Sequence, residues 1–374
     1  MASYKKISNG NWKYTISYTD NNGNYKQKSK QGFPTKTAAK EIAEPLEIKL
    51  KANASMADAD MLFTDYYSKW AHTYKYGVHS PATDDQYRTA ERIVNKYFKG
   101  LKVKQITKDR YQKFIKDYSK GKSKETVRKI HNKIGACLRH AFHTGVIPIN
   151  ITHKINITGN PSKPKEEKFL NQHELRKLII ALQDDLSFKH VSRYMLLLQA
   201  STGARIGEIM ALTFDSFDFE KETLTINKGW DYKYTNDFAD TKNGVHRTID
   251  LDKDTIRLIR PFYDHKRKQS FTGLLNNPKK LVFVDDYMEL NSVNAINKSM
   301  SRACKRAGLE RFTSHALRHT HASMLILNGV DIQIVAERLG DTVEVIASVY
   351  SHVLKETRDK NKPAVIAVAS SVFG

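Results

Sequence analysis

Three kinds of side chain suited to phosphate chemistry recur at fixed intervals between residues 312 and 352. His315 and Arg318 are three residues apart, so a helix would place them on one face. A phenol, here that of Tyr350, is a weak nucleophile at neutral pH. Nearby guanidinium and imidazole groups can nevertheless stabilise its anion and hold a phosphodiester in line with it. The spacing therefore predicts attack of Tyr350 on a DNA phosphate.

Two motifs upstream supply further charged groups. The segment 201–208 contains Arg205 and Glu208, which taken alone are explained equally well by an ordinary helical ion pair. The segment 240–249 contains Lys242 beside an Asn-Gly turn signal, and taken alone it could be a solvated hairpin tip. The joint occurrence of both motifs with the three residues near the carboxyl end favours chemistry.

In their order, the His-x-x-Arg motif, the pair Leu339-Gly340 and Tyr350 resemble the tyrosine recombinases, the phage integrases and their Xer-type relatives. The segment around Arg205 resembles the first arginine motif of that family. The segment around Lys242 resembles the β-hairpin that carries the catalytic lysine. These motifs cover roughly residues 169–354. The resemblance implies a site-specific DNA strand transferase that integrates a mobile element and also excises it.

The resemblance also implies a role for each site residue. No ATP or metal ion is required, because a covalent intermediate would store the energy of the phosphodiester. The histidines at 315, 319 and 321 lack a Cys or carboxylate that would complete a zinc site. By resemblance, Arg205 and Arg318 would hold the scissile phosphate, Tyr350 would form a 3′-phosphotyrosyl link, Lys242 would protonate the departing 5′ oxygen, His315 would position the phosphate or take the tyrosine proton, and Glu208 would orient Arg205.

One position departs from the family pattern. Relatives usually have His or Trp immediately after the Leu-Gly pair, where this chain has Asp341. An ionised aspartate accepts hydrogen bonds and cannot donate one to a phosphate oxygen. Three explanations stay open: the enzyme tolerates the loss, its activity is reduced, or His319, His321 or His352 substitutes.

Charge is distributed unevenly along the 374 residues, whose net charge is +22. Residues 1–40 contain eight lysines and one acid, and residues 62–160 contain twenty Lys and Arg against seven acids. A polyanion such as DNA is therefore the favoured partner. Two cysteines, Cys137 and Cys304, are too few for a disulfide framework, and we find no apolar run long enough to span a membrane. We expect a soluble protein of the bacterial cytoplasm, associated with the nucleoid.

The amino-terminal residues 4–30 alternate apolar and polar side chains around a turn at residues 20–23, which predicts a hairpin or a three-stranded sheet. A helix should follow over residues 36–51, and residues 52–61 suit a linker with some helix. Lys26, Lys28 and Lys30 would share one face of a strand, either solvated or laid against DNA. The arrangement resembles the arm-binding domain of phage integrases.

A helical block follows. Aromatic and aliphatic stripes at helical spacing, from Phe63 to Trp70 and from Val127 to Phe142, indicate a buried core. Its excess of basic residues favours a surface that contacts the DNA backbone over an ordinary polar face. The block resembles the core-binding domain of integrases, and Lys122, Lys124 and Arg128 are our DNA-binding candidates. A Pro-containing linker over residues 148–168 separates it from the rest.

The remaining part of the chain carries three local signals. Asn171 with Glu174 three residues later predicts a capping box at the start of a helix. Strands are expected over residues 224–226 and 248–251, and Ser314 is the expected N-cap of the helix that contains His315.

We therefore predict a multidomain α+β fold. A small three-stranded sheet with a helix occupies residues 1–54, an all-α core-binding bundle residues 62–155, and a mainly α catalytic domain with a small antiparallel sheet residues 169–374. The expected partners are double-stranded attachment sites of core and arm type, a homotetramer on DNA, an excisionase and a host DNA-bending protein. A catalytically weakened DNA-binding protein is the alternative from another class, and a type IB topoisomerase or a conjugative-transposon integrase would use the same chemistry.

Overall fold

A computed structural model describes residues 2–7, 10–19, 25–161, 169–241, 243–272, 276–351, 353–354, 362–363, 366–367 and 369–371, except for the side chains of residues 19, 45 and 48–57. The chain divides into two compact units, Met1–Ser162 and Lys163–Gly374. Each unit has its own buried core, and each is described separately below. No helix among these residues is long and apolar enough to cross a membrane.

The first unit begins with the predicted three-stranded sheet, which is antiparallel with strand order β1-β2-β3. Tyr14 and Ile16 of the central strand are buried against Ala39 and Ala43 of the following helix. That helix runs through residues 52–60, which we had interpreted as a linker; small residues without Gly or Pro in that stretch are compatible with helix. The elements are β1 (Ser3–Lys6), β2 (Trp12–Thr19), β3 (Tyr25–Phe33) and α1 (Lys36–Asp60).

The rest of the first unit is a helical bundle whose core is formed by the two predicted apolar stripes. Phe63, Tyr67, Ile134 and Leu138 are all fully buried. Aromatic rings dominate the packing; Phe98, for example, lies edge-on to Phe63 with ring centroids 5.3 Å apart. The helices are α2 (Phe63–Tyr74), α3 (Pro81–Tyr97), α4 (Lys108–Tyr118) and α5 (Lys124–His143).

The second unit opens with the predicted capping box. The amide of Glu174 donates to the Asn171 side chain at 2.9 Å, and the Asn171 amide donates to the Glu174 carboxylate at 2.8 Å. The next helix is buried almost all round and ends at Gly203, whose φ is 67°. These helices are α6 (Gln172–Gln183), α7 (Val191–Thr202) and the short α8 (Ile206–Met210).

Two small antiparallel sheets follow, with orders β4-β5-β8 and β6-β7. The two strands expected near residues 224–226 and 248–251 are neighbours in the first sheet, where Leu224 lies opposite Ile249. The second sheet was not predicted, because its strands are only three residues long. The strands are β4 (Phe217–Asp218), β5 (Thr223–Ile226), β6 (Gly229–Asp231), β7 (Asp237–Ala239) and β8 (Arg247–Asp250).

Five longer helices follow between residues 253 and 349 of the described part of the second unit. Ser314, which we had expected to cap the helix containing His315, is instead its first residue, and Thr313 occupies the N-cap position. Ser314 is buried and its amide donates to the Asn297 side chain at 2.9 Å, so a tertiary contact takes the place of a local cap. The helices are α9 (Lys253–Phe271), α10 (Val293–Arg306), α11 (Ser314–Leu327), α12 (Ile332–Leu339) and α13 (Val343–Val349).

Candidate active site

Arg205 is positioned by a tight turn between α7 and α8. Gly203 adopts a left-handed conformation there, and a Cβ atom on it would lie 2.6 Å from the side chain of Leu339 and 2.7 Å from that of His321. Only glycine therefore fits without displacement. Arg205 follows as the N-cap of α8, with 18% of its side chain exposed. The turn thus fixes the direction in which the guanidinium leaves the backbone.

Glu208 holds Arg205 from behind. Its carboxylate is 2% exposed, accepts from Nη1 of Arg205 at 3.1 Å, and also accepts from the Arg205 backbone amide at 2.8 Å. Its other strong partner is Arg247 on β8, whose Nη2 donates at 2.7 Å. Burial alone would raise the pKa of Glu208, but the ion pairs with Arg247 and Arg205 outweigh it and hold that pKa below its ordinary value. The carboxylate is therefore ionised.

Arg318 reaches the same region from α11. It is 3% exposed, and its guanidinium donates to the carbonyl oxygens of Gly203 at 2.9 Å and Leu339 at 2.8 Å. Burial, with the nearby charge of Arg205, lowers the pKa of Arg318, and Asp341 acts in the opposite direction. Two backbone carbonyls therefore anchor a cation that is almost removed from solvent.

Asp341 joins the two arginines. Its Oδ1 accepts from Nη2 of Arg205 at 2.5 Å, and its Oδ2 accepts from Nη2 of Arg318 at 2.5 Å. Burial raises the pKa of this carboxyl, but the guanidinium groups of Arg318 and Arg205 lower it by more. The pKa is therefore below its ordinary value. The residue that departs from the family pattern is thus an ionised carboxylate lying between two guanidinium groups, each oxygen bound to one of them.

The loop that carries Asp341 is tied to the connection between β7 and β8. These two strands lie in different sheets, so they do not form the hairpin that we had expected around Lys242. Asn243 donates from Nδ2 to the carbonyl of Gly340 and to Oδ1 of Asp341, both at 3.0 Å. Gly340 is left-handed, with φ 64°, and ends α12. Lys242, the neighbour of Asn243 and our expected general acid, lies outside the described residues.

Tyr350 follows α13 as its C-cap and is 4% exposed. Its hydroxyl lies 2.9 Å from Nδ1 of His319, a nitrogen that can accept the phenolic proton. Burial raises the pKa of Tyr350 to about 12, Arg318 lowers it and Asp341 raises it. The phenol is therefore neutral in this state and needs a base to become a nucleophile.

The histidines near Tyr350 differ in their surroundings. His315 is exposed and lies edge-on to His319, with ring centroids 4.6 Å apart, so it lies next to the imidazole that contacts the tyrosine. His321 is half-buried, and the loss of hydration together with the nearby charge of Arg338 lowers its pKa to about 4; it contacts the carbonyl of Ala200 and Nε of Arg338. Those contacts hold it within the fold. His352 lies outside the described residues.

Arg247 and Asn243 had no predicted role, and His319 was expected only as a substitute for the missing His or Trp. Arg247 and Asn243 lie within the motif around Lys242, which was the available signal. Their partners, Glu208 and the loop at residues 340–341, are far away in the chain, so no local pattern shows the pairing. Among the described residues, no group of three or more His, Cys, Asp and Glu side chains could hold a metal ion.

The candidate DNA-binding lysines of the sheet lie on the edge strand β3 and are exposed. Lys28 lies opposite Ile16 and Lys30 opposite Tyr14. Since opposite residues of antiparallel strands share a face, Lys26, Lys28 and Lys30 are on the side that α1 packs against. The other side of the sheet is polar and includes Lys13, Thr15, Ser17, Gln27 and Gln31.

The second set of DNA-binding candidates lies at the start of α5. Lys124 and Arg128 are exposed and one helical turn apart. Arg128 pairs with Glu125 at 2.9 Å, and Nζ of Lys122 lies 4.5 Å from the ring centroid of Tyr118. These cations lie at the positively polarised end of a helix, which adds to their attraction for phosphate.

Three family models match consecutive parts of the chain. The model for the phage integrase family matches residues 168–357, about half of the chain. A model for an arm DNA-binding domain matches residues 2–50, and one for a phage integrase SAM-like domain matches residues 62–157. Together these matches describe three consecutive domains.

Individual proteins are similar over most of their length. The "Tyrosine recombinase XerC-like" protein of Caldanaerobacter subterraneus subsp. tengcongensis is 25% identical, over 94% of this chain and 95% of that one. The ICEBs1 integrase of Bacillus subtilis is 24% identical, over 96% and 98%. The Tn1549 transposon integrase, solved in complex with transposon right end DNA, shares the fold with a TM-score of 0.68 at 16% identity, over 81% and 99%.

Proposed function

The chain belongs to the phage integrase family, and we propose that it integrates and excises a mobile element by exchanging DNA strands at specific attachment sites. It is a site-specific tyrosine recombinase, and DNA is its partner. One observation carries the proposed chemistry: Arg205 and Arg318 both donate to the Asp341 carboxylate at 2.5 Å. Two guanidinium groups that converge on one anion are suited to grip a phosphodiester.

In the proposed reaction the scissile phosphate binds to Arg205 and Arg318, which neutralise the charge that develops in the transition state. The Tyr350 oxygen forms a bond to phosphorus, and the bond from phosphorus to the 5′ oxygen breaks. The phenolic proton passes to Nδ1 of His319, supported by their 2.9 Å contact. By resemblance, Lys242 gives a proton to the departing 5′ oxygen.

The product is a 3′-phosphotyrosyl link and a free 5′ hydroxyl. A 5′ hydroxyl from a second duplex can attack that link and restore a phosphodiester, so the exchange conserves bond energy and consumes no cofactor. Glu208 and Arg247 act through Arg205 and do not touch the DNA. The Glu208 carboxylate binds the guanidinium groups of both arginines and so keeps that of Arg205 in place.

The finer partners are also proposals. The sheet and α1 would bind arm-type sites, which the match to an arm DNA-binding domain supports, and the helical bundle would bind core-type sites. Strand exchange between two duplexes requires four active sites, so we propose a homotetramer on DNA. An excisionase and a host DNA-bending protein would set direction and geometry. The reaction would take place at the bacterial nucleoid, where the target DNA is.

A nicked duplex tests the proposal. The sequence of the attachment core is taken from the junctions of the element that encodes this chain. A nick just beyond the cleavage position means that the fragment with the new 5′ hydroxyl is short and dissociates after cleavage. We expect wild-type protein to form a covalent adduct that withstands denaturing gel electrophoresis, and Tyr350→Phe to bind the same duplex without an adduct. Tight binding with no adduct from the wild type would contradict the proposal.

The alternative of a catalytically lapsed DNA-binding protein receives no support, because the relatives are recombinases and integrases. The match to an arm DNA-binding domain also argues against a topoisomerase, which has no need to bridge two classes of DNA site. Whether the element is a prophage or a conjugative transposon does not alter the chemistry proposed for these residues.

A further inference from the structure

The Asp341 carboxylate takes the same hydrogen bonds that a phosphate would take. One oxygen is bound to Arg205 and the other to Arg318, each at 2.5 Å, as two non-bridging phosphate oxygens would be bound by a pair of guanidinium groups. A carboxylate carries one negative charge, and so does the phosphate group of a phosphodiester. The two anions need the same N–H groups, so they compete for one place.

We propose that Asp341 is a built-in stand-in for the scissile phosphate: its carboxylate fills the arginine pair when no DNA is bound and has to leave that pair before Tyr350 can react. The identity of the competing anion rests on the proposed function. The occupancy of the arginine pair by a carboxylate rests on the contacts alone. Asp341 is thus a positioning residue that keeps the buried Arg318 and the half-buried Arg205 together and delays cleavage until DNA displaces it.

Electrostatics explains why a stand-in is needed. Arg318 is 3% exposed, and the nearby Arg205 lowers its pKa, so the two cations repel each other in a site with little water. Glu208 balances only part of this charge, because Arg247 shares its carboxylate. Asp341 supplies the missing negative charge in the unbound protein, and the DNA phosphate supplies it in the complex.

The loop that carries Asp341 is constrained at Gly340 and contacts the connection between β7 and β8. Gly340 is left-handed, and a Cβ atom there would lie 2.7 Å from Nη1 of Arg247, so the residue before Asp341 is restricted to glycine. Asn243 donates to both Gly340 and Asp341. Departure of the Asp341 side chain therefore breaks one of the two hydrogen bonds that Asn243 donates, so entry of phosphate weakens the contact between this loop and the connection between β7 and β8.

Inorganic phosphate is the probe for the first test. Thermal unfolding is followed for the wild type, Asp341→Asn and Asp341→Ala, in phosphate and in chloride at equal ionic strength. Phosphate stabilises many proteins non-specifically, so Glu337→Gln serves as a matched control: it removes an exposed acid four residues earlier, whose carboxylate accepts a hydrogen bond from Gln333. Arg318→Gln combined with Asp341→Asn removes half of the anion site.

We expect both Asp341 variants to unfold at a lower temperature than the wild type in chloride, because the arginines lose their counter-ion. Phosphate should raise their Tm by about 3 °C or more beyond the rise seen for wild type and Glu337→Gln. The double variant should lose this extra rise. If phosphate stabilises the Asp341 variants no more than the control, Asp341 is not a stand-in for an anion and the proposal is overturned.

The nicked attachment core provides the second test. If Asp341 occupies the arginines most of the time, its removal should speed covalent adduct formation by about tenfold or more, because the competent fraction rises. Slower adduct formation by Asp341→Asn, in protein that still shows the phosphate effect, would overturn the delaying role. No adduct from the wild type or any variant, with the phosphate effect intact, would instead refute the recombinase chemistry and leave the anion site standing.

Discussion

The chain uses positive charge in two contrasting ways. The arginine site of the second unit contains Arg205 and Arg318, and the basic surface of the first unit contains Lys26, Lys28, Lys30, Lys122, Lys124 and Arg128. In the arginine site, Arg318 is 3% exposed and Glu208 2%, and each has charged partners within the protein. On the basic surface, Arg128 and Glu125 form an ion pair with about half of each side chain exposed. Buried charges are fixed in direction by internal acids, whereas exposed charges attract DNA without fixing its geometry. We therefore expect substitutions in the arginine site to reduce adduct formation by orders of magnitude. Substitutions on the basic surface should reduce DNA affinity only a few-fold.

The largest expected effect is that of Arg205→Lys. Lysine keeps the charge but cannot contact Glu208 and a phosphate at once with a planar fork. We expect adduct formation on the nicked core to fall by about 10³-fold while affinity for the same duplex changes little. Arg257→Lys, at an exposed ion pair on α9, is the control and should change neither. Equal activity of Arg205→Lys and wild type would remove the distinction between the two regions.

His319→Ala should lower adduct formation by about 10²-fold, because the Tyr350 hydroxyl loses the group that accepts its proton. The pKa of Tyr350 is raised to about 12, so the variant should regain rate as the pH rises toward that value and hydroxide replaces the base. His315→Ala is the matched variant, and we expect a loss smaller than tenfold. A larger loss for His315→Ala would favour the role that the resemblance implied for that residue.

Glu208→Gln should lower the free energy of unfolding by about 3 kcal/mol, because it removes the buried counter-ion of Arg247 and one of the two carboxylates that pair with Arg205. Glu125→Gln, at the exposed pair, should change it by less than about 1 kcal/mol. Urea unfolding followed by circular dichroism measures both. Similar values for the two variants would contradict the contrast between buried and exposed pairs.

The Glu208→Gln variant also tests how the stability of the fold depends on pH. The pKa of Glu208 is lowered in the folded protein, so its stabilising contribution is present above the unfolded value of about 4.3 and is lost as the pH falls through the folded value. Wild-type protein should therefore lose more stability than Glu208→Gln on acidification below about pH 4.3. A parallel decline of both proteins would mean that Glu208 titrates normally.

The smallest expected effects are on the basic surface. Lys28→Gln and Lys124→Gln should each weaken DNA binding a few-fold and reduce the slope of log affinity against log salt by about 1, regardless of sequence. Gln27→Ala and Gln31→Ala lie on the side of the sheet away from α1 and should instead reduce discrimination between arm-type sequences. Fluorescence anisotropy titrations at several salt concentrations separate the two outcomes.

Local patterns were sufficient for elements whose signals lie within one stretch of chain. The capping box at Asn171, the apolar stripes of the bundle and the alternation in β2 each predicted what the structure contains. Residues 52–60 were predicted as a linker with some helix, because small residues suit both, and the structure shows that the helix from Lys36 continues through them to Asp60. Thr313 rather than Ser314 occupies the N-cap position of α11, and the side chain of Asn297, seventeen residues earlier, accepts from the Ser314 amide in place of a local cap. Tertiary contacts decided that boundary.

The arginine site shows the same limit more sharply. The motifs identified Arg205, Arg318 and Asp341 as residues of interest, and they marked Asp341 as a departure from the family. They did not predict that its carboxylate binds both guanidinium groups, since those contacts span 136 and 23 residues. Nor could they choose between His315 and His319 as the neighbour of Tyr350. The catalytic roles of these residues stay predictions until the adduct assays are made.

The Asp341 carboxylate also bears on how a recombinase searches a genome. A protein with a net charge of +22 binds DNA of any sequence and meets a great many phosphates before it reaches its target. With its arginines already neutralised from within, such a protein would slide past them without nicking the chromosome. Only the combined grip of arm and core sites would then dislodge the internal anion, so fidelity would be enforced at the chemical step as well as by recognition.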